Sequence, residues 1–220
     1  HHGLEWRGRV SAFGSRADEE WLGKRITGDT MLGCGHCEFC LTGRHHVCPE
    51  RFEVGIRGGW AGALAEKVLI PSRFAYEIPE TVSLTAAALV EPGGNSLRAV
   101  RAANITRGDR LVVLGPGTIG LPAAQFALAV GAEVHLGGVR ERSLSLARSL
   151  GVPHTWQLDE LAEPAADRFD AVIEATSNPA MPALSLRLAK PTGRVVYVGL
   201  ASSPSQVGTR DIALKDLTLV

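Results

Sequence analysis

From residue 107 onward, apolar residues come in short unbroken runs separated by stretches of helical spacing. The runs are LVVL at 111–114, EVHL at 133–136, AVIE at 171–174 and RVVYV at 194–198, with a last one beginning near Leu217. Each has the length and residue type of a strand. Between the first two, residues 118–130 repeat apolar side chains as a helix does and stop at Gly131, with Pro122 in the first turn, where its missing N–H is no loss. A second helix is predicted to end at Gly151, and a Pro-Thr-Gly turn at 191–193 to introduce the fourth strand. Strands alternating with helices predict the α/β class, a parallel doubly wound sheet.

The first ninety residues have another texture. GRVSAFG at 8–14, LGKRITGDT at 22–30 and LAEKVLIP at 64–71 are short, rich in glycine or β-branched residues and separated by turns. They predict a small β-domain over residues 1–83, carrying an excursion at 31–50, ahead of a dinucleotide-type domain over 84–220. Pro71 and Pro79 punctuate its exit, and Ser83 is placed to cap a helix through residues 86–88. No internal repeat or low-complexity segment is visible.

The excursion changes the picture, because it holds all four cysteines. Cys34, Cys37, Cys40 and Cys48 are spaced C-x2-C-x2-C-x7-C, with Gly33, Gly35 and Gly43 supplying tight turns. Two-residue gaps let three thiolates converge, and the longer return brings the fourth. This makes a closed tetrahedral sulfur shell suited to structural zinc, with no open position for catalysis. Disulfides would require an oxidising compartment, and an iron–sulfur cluster more often shows a three-residue last gap before Cys-Pro. His36, His45 and His46 are then loop residues, since four thiolates fill the shell.

A phosphate cradle follows the first strand. Gly115, Gly117 and Gly120 stand in G-x-G-x-x-G register with Thr118 and Ile119 between them, after a strand and opening a helix. The first glycine allows the tight turn, the second the approach of a pyrophosphate, the third close helix packing. About 20 residues beyond the glycines, an NAD site offers an acidic side chain to the ribose 2'-hydroxyl. Here the chain has Gly137, Gly138, Val139 and Arg140. With no carboxylate there to repel a 2'-phosphate, and with Arg140 and Arg142 able to grip one, NADP is expected over NAD. The plainer alternative leaves both arginines as solvated residues opening the next helix. The rest of the ligand should cross the carboxyl ends of the strands, where Ala175, Thr176, Val198, Gly199 and Leu200 fall.

Charge excludes other classes. Lys plus Arg and Asp plus Glu both number 23, so no net field draws the chain to nucleic acid, and no basic block suits a membrane surface. Neither a signal sequence nor an apolar stretch long enough to span a membrane is present, so a cytoplasmic protein with a small-molecule partner is expected. His135, His154, Trp6, Trp21, Trp60 and Trp156 are expected to be structural, and His1 and His2 read as the remnant of a purification tag.

In combination, CGHCEFCLTGRHHVC, VEP at 90–92, LVVLGPGTIGLPAAQ, IEAT at 173–176 and PTGRVVYVGL resemble the zinc-type medium-chain dehydrogenase/reductase family, in its sorbitol- and threonine-dehydrogenase-like branch. The resemblance implies a GroES-like catalytic domain, partial here, joined to a Rossmann domain, and hydride transfer between an alcohol or carbonyl substrate and nicotinamide. It also implies a homo-oligomer, the four cysteines as the structural zinc lobe, and the VGL stretch beside the nicotinamide. In the family a second, catalytic zinc polarises the alcohol oxygen. Its ligands come from an early cysteine, the His and Glu of a G-H-E motif, and at times the Glu of an E-P motif. This chain reads Gly3, Leu4, Glu5 at that motif, keeps Glu91, and starts too late to include the early cysteine. Leucine cannot ligate a metal, so catalytic zinc is doubtful, and Glu5 and Glu91 remain as the candidate catalytic carboxylates. Two further readings stay open: a zinc-independent NADPH reductase of the quinone-reductase kind, and a non-catalytic nucleotide-binding protein. The carboxyl end is expected to stop in a strand, short of the family's full length.

Overall fold

A computed structural model of the chain describes residues 3–162 and 166–220, without the side chains of Ala17 and Ala162. His1 and His2, read above as a tag remnant, lie outside the described residues. Contacts divide the chain into two compact units, His1–Glu91 and Pro92–Val220.

In the first unit, β1 (Arg7–Arg9), β2 (Arg25–Gly28) and a later strand, Ala75–Glu77, form an antiparallel sheet with β2 in the centre. A second antiparallel pair, β3 (Met31–Leu32) and β4 (Phe52–Glu53), brackets the cysteine excursion and its one-turn helix α1 (Glu38–Leu41). Ala75–Glu77 is β5. Leu32, Val54 and Phe74 form the small buried core, with Trp60, Ala63 and Ile70 packed against it. Residues 64–71, expected as a strand, are irregular. Leu64 and Leu69 are 86% and 77% exposed, and the Leu69 carbonyl accepts the Trp60 indole N–H at 3.0 Å in place of a sheet bond. The expected cap is present, Ser83 Oγ accepting the Ala86 N–H at 3.1 Å at the head of α2 (Leu84–Ala87).

Helix α3 (Val90–Ala103) leads into the second unit. There β6 (Arg110–Leu114), α4 (Gly120–Val130), β7 (Glu133–Gly138), α5 (Glu141–Ser149), β8 (His154–Gln157), α6 (Leu158–Ala162), β9 (Phe169–Glu174), α7 (Met181–Leu188), β10 (Ala189–Tyr197), α8 (Thr209–Leu214) and β11 (Thr218–Leu219) follow in turn. The sheet order is β11-β10-β9-β6-β7-β8, every pair parallel. That is the doubly wound arrangement, in which the order reverses between β6 and β9. The unbroken apolar runs have their reason in this layering, because helices cover both faces. Leu111 and Val113 of β6 enter one core with Ala171 and Ile173, while Val112 and Leu114 enter the other with Val172 and Val195. Helix α4 ends in a Schellman motif: Gly131, at φ +91°, donates to the Leu128 carbonyl and Ala132 to that of Ala127. The turn expected at 191–193 is instead a kink inside β10, with Thr192 at φ +65° and the register slipping between Ala189 and Arg194.

At the amino-terminal edge of the sheet, His135 is held from all sides. Its Nδ1 accepts the Trp156 indole N–H at 3.0 Å, its Nε2 meets Glu133 at 2.9 Å, and its ring stacks on His154 at 4.5 Å, with Phe169 edge-on at 5.0 Å. The Trp156 donor therefore requires a neutral His135 with its proton on Nε2. Burial first, with the charges of His154 and Arg110, holds the His135 pKa below its ordinary value despite Glu133. A depressed histidine leaves stability whole above the unfolded value, about pH 6.5, and stability is lost as the pH falls through the lowered folded value. The tryptophan fluorescence of the chain should thus show a step below about pH 6.5 that is missing from Trp156→Phe. A signal flat through that range, or the same step without Trp156, refutes the arrangement.

Candidate functional site

The excursion between β3 and β4 brings its four sulfurs together. Cys34 Sγ lies 3.9 Å from Cys40 Sγ, Cys37 Sγ lies 3.7 Å from Cys48 Sγ, and all four are within 4.8 Å of one another. None is in a disulfide. A tetrahedral zinc with bonds of about 2.3 Å sets its sulfurs about 3.8 Å apart, so the spacing is that of a metal shell. Gly33 is needed for it: a Cβ there would stand 2.7 Å from Cys40 Sγ. Of the neighbouring histidines, His45 meets Asp29 at 2.7 Å, and His36 meets Glu50 at 3.7 Å with its ring nitrogen within 4.8 Å of Cys34 Sγ.

Electrostatics argue the same way. Main-chain N–H groups, that of His36 first, hold the Cys34 thiol below its ordinary value, and that of Cys34 first brings Cys48 down to about 7. For Cys37 the Cys40 N–H pulls downward, but burial and the neighbouring sulfurs outweigh it and push the thiol up to about 12. Four thiolates this close repel one another, and only a cation among them lets all four ionise at neutral pH.

In the second unit the glycine bend sits where the sheet order reverses. Gly115, at φ +104°, leaves β6 and donates to the Gly137 carbonyl at 2.9 Å; a Cβ on it would stand 2.9 Å from the Ala175 carbonyl oxygen. Gly120 opens α4 so close to the bend that a Cβ would fall 1.8 Å from the Gly115 carbonyl oxygen. At Gly117 a Cβ would meet nothing within 4 Å. The bend is closed toward the sheet and open outward, and the positive end of α4 starts beside it, a fit for a pyrophosphate. Thr118 and Ile119 complete the turn. Ser96 of α3, fully buried, braces it, its hydroxyl lying 2.8 Å from both the Pro92 and the Ile119 carbonyl oxygens and sharing its one proton between them. Nothing in the local sequence around Ser96 pointed to this, since its partner lies 23 residues away.

At the end of β7, Gly138 lies under the bend, where a Cβ would stand 2.6 Å from Pro116. Val139 and Arg140 follow on the surface, Arg140 as the N-cap of α5. Arg142 is exposed too, and the Glu141 carboxylate between them is taken up by Arg148. Across the reversal, Ala175 donates to the Leu114 carbonyl at 2.9 Å, while Val198 and Gly199 both donate to that of Glu174 at 2.9 Å. Thr176 stands beside them, and Leu200 is 88% exposed. The structure so gathers the predicted residues of the second unit along the carboxyl ends of β6, β7, β9 and β10.

Glu5 and Glu91 are placed differently. Glu5 is exposed beside a half-buried Leu4, and Glu91 accepts from the Thr30 hydroxyl at 3.3 Å. Among the described residues neither belongs to a group of three ligand-bearing side chains within 4.8 Å. The first unit also holds a cavity of about 560 Å³, lined largely by apolar residues such as Val10, Phe13, Trp21, Ile26 and Ile70.

Residues 1–80 match the alcohol dehydrogenase GroES-like domain, and residues 118–220 match the zinc-binding dehydrogenase family. The L-threonine 3-dehydrogenase of Vibrio parahaemolyticus is 31% identical over 99% of this chain, which spans 65% of that relative's length. Among solved structures, one described as a zinc-binding dehydrogenase of Sinorhizobium meliloti 1021 bound to NADP is 32% identical, with a TM-score of 0.90 over 98% of this chain and 66% of that one. An alcohol dehydrogenase of Escherichia coli CFT073 complexed with NADH is 26% identical, also at 0.90 over 98% of this chain and 66% of its own. No helix among the described residues is long and apolar enough to cross a membrane. With family models matched over residues 1–80 and 118–220, the chain belongs to the zinc-type medium-chain dehydrogenase/reductase family.

Proposed function

We propose that the chain is the structural-zinc and NADP(H)-binding part of an alcohol or polyol dehydrogenase, one that moves hydride between an alcohol or carbonyl carbon and nicotinamide. The observation that carries this reading is the glycine bend: closed against the sheet by Gly115 and Gly120, open outward at Gly117, and set where a doubly wound sheet binds dinucleotides. Pyrophosphate would lie against the main chain at 115–120, adenosine toward Gly138, Val139 and Arg140, and nicotinamide toward Ala175, Thr176, Val198, Gly199 and Leu200. NADP supplies the hydride chemistry when bound. The protein's contribution is to hold its two halves at a fixed reach and to leave the 2'-phosphate a free guanidinium.

The metal reading rests on the sulfur spacing. Cys34, Cys37, Cys40 and Cys48 would hold one zinc that ties the excursion together, with no ligand position left over for substrate. A second reading, a relative working without catalytic zinc, is favoured by one observation: leucine occupies position 4, and Glu5 and Glu91 join no three-ligand group among the described residues. In that case a carbonyl or activated double bond would be reduced by hydride from an oriented NADPH together with donation of a proton, with no metal to polarise it. A non-catalytic nucleotide binder shares these features and differs only in showing no turnover. A small-molecule alcohol or carbonyl partner, assembly into a homo-oligomer and a cytoplasmic setting belong to the same proposal.

Metal analysis should find one zinc per chain, and Cys48→Ser should lose it. Thiol-reagent titration should then count protected cysteines before chelation and reactive ones after it. Two zincs per chain would instead restore a catalytic metal, and a zinc-free chain with reactive thiols would end the structural assignment. For the nucleotide, Arg140→Ala should weaken NADPH by about tenfold, the worth of a charge-assisted hydrogen bond, and leave NADH unchanged. Equal losses for both, or none for either, remove Arg140 from the 2'-phosphate.

A further inference from the structure

Glu174 ends β9 at the place where the sheet order reverses, and it is 2% exposed. A carboxylate so buried normally has a cation beside it. None of the ion pairs among the described residues includes Glu174. Its bonds go instead to the chain that follows. Oε1 accepts the Thr176 main-chain N–H at 2.7 Å and the Thr176 hydroxyl at 2.5 Å. Oε2 faces Gly199, where a Cβ would stand 2.6 Å from it. The main-chain oxygen of the same residue accepts the N–H groups of Val198 and Gly199. One residue thereby grips the turn after β9 with its side chain and the turn after β10 with its backbone, and Gly199 leaves room for the grip.

Those two turns carry all five residues read above as facing nicotinamide. We infer that Glu174 is a positioning residue for the nicotinamide half of the dinucleotide: its buried carboxylate pins the 175–177 turn through Thr176 and stands against Gly199, beside the 198–200 turn that its main-chain oxygen holds, and it does so without touching the cofactor. The inference rests on the proposed nucleotide site. It makes a demand which that site alone does not, because the adenosine half, across the reversal at β6 and β7, should be indifferent to Glu174. The carboxylate's acceptor oxygens carry the role, so an amide that keeps one acceptor on Thr176 should keep most of it, and a methyl group none.

Calorimetric titration of the full chain with NADPH and with adenosine 2',5'-bisphosphate, which lacks nicotinamide, separates the possibilities. Glu174→Ala should weaken NADPH about tenfold, as loss of a buried acceptor does, while the bisphosphate stays within about twofold. Glu174→Gln should recover most of the NADPH affinity. If Glu174→Ala does not fold, Glu174→Asp carries the test, since its shorter side chain withdraws the acceptor from Thr176 and should show the same split at smaller size. Unchanged NADPH binding in folded Glu174→Ala, or in the variant that stands in for it, overturns the inference, and so does an equal loss for both ligands, which would mean general loosening. A wild-type chain that binds neither ligand overturns the nucleotide site itself, and the role of Glu174 with it. A wild type that binds the bisphosphate while the variants show no split fails the inference alone.

Discussion

The second unit depends on a main-chain contact in which no side chain takes part. Helix α4 starts so close to the end of β6 that the Gly120 Cα faces the Gly115 carbonyl oxygen with no room for a methyl group. That approach fixes the helix against the sheet. It turns the helix start toward the carboxyl ends of the strands and leaves Gly117, where an added Cβ would meet nothing within 4 Å, open to the outside. The apolar layers on either side, with Val113 and Ala123 in one and Val112 and Leu114 in the other, fill the space this contact defines. Ser96 and Gly137 then anchor the bend from opposite sides by hydrogen bonds to Ile119 and Gly115. A bend made of backbone would have a functional merit for the proposed nucleotide site, since it has no side-chain entropy to lose when a phosphate arrives.

The first unit solves a different problem. Its apolar core is small, with three buried side chains in the cluster and three more packed on it, and its strands are two to four residues long. Segments this short seldom hold a loop of some twenty residues in place by packing alone. The sulfur shell supplies what the core lacks. Like charges that would drive four thiolates apart become, around a divalent ion, the reason the excursion has one shape.

What the sequence disclosed depended on how local the physics is. Sheet class, the glycine bend, the sulfur shell and the Ser83 cap are all set by residues within about one turn or one strand of each other, and period, spacing and residue type were sufficient to place them. Where partners come from afar, the pattern was silent or misleading. Residues 64–71 are apolar enough for a strand, yet Leu69 gives its carbonyl to Trp60 and points outward. β5 is three residues long and exists because β2 offers it an edge. Pro191 and Gly193 look like a turn, but β9 on one side and β11 on the other keep the chain extended past the kink. Ser96 carried no signal at all, since its role is defined by a carbonyl on the far side of a loop.

Glu174 shows most clearly what such a reading passes over. In sequence it is only the polar end of an apolar strand, where a charge would ordinarily mark the return to solvent. In the structure the strand ends in the interior, because the turns after β9 and β10 fold over it, and the carboxyl group stays buried with main-chain and hydroxyl donors, in no ion pair among the described residues. Donors of that kind are fixed by the fold, whereas a lysine or arginine would bring a long flexible side chain into the crevice. The same economy recurs at the glycine bend, where the contacts to the sheet are made by main chain, Gly115 donating to the Gly137 carbonyl. At the Glu174 end of this crevice a buried carboxyl group is held by main-chain and hydroxyl donors, while Arg140 and Arg142 lie exposed at the start of α5.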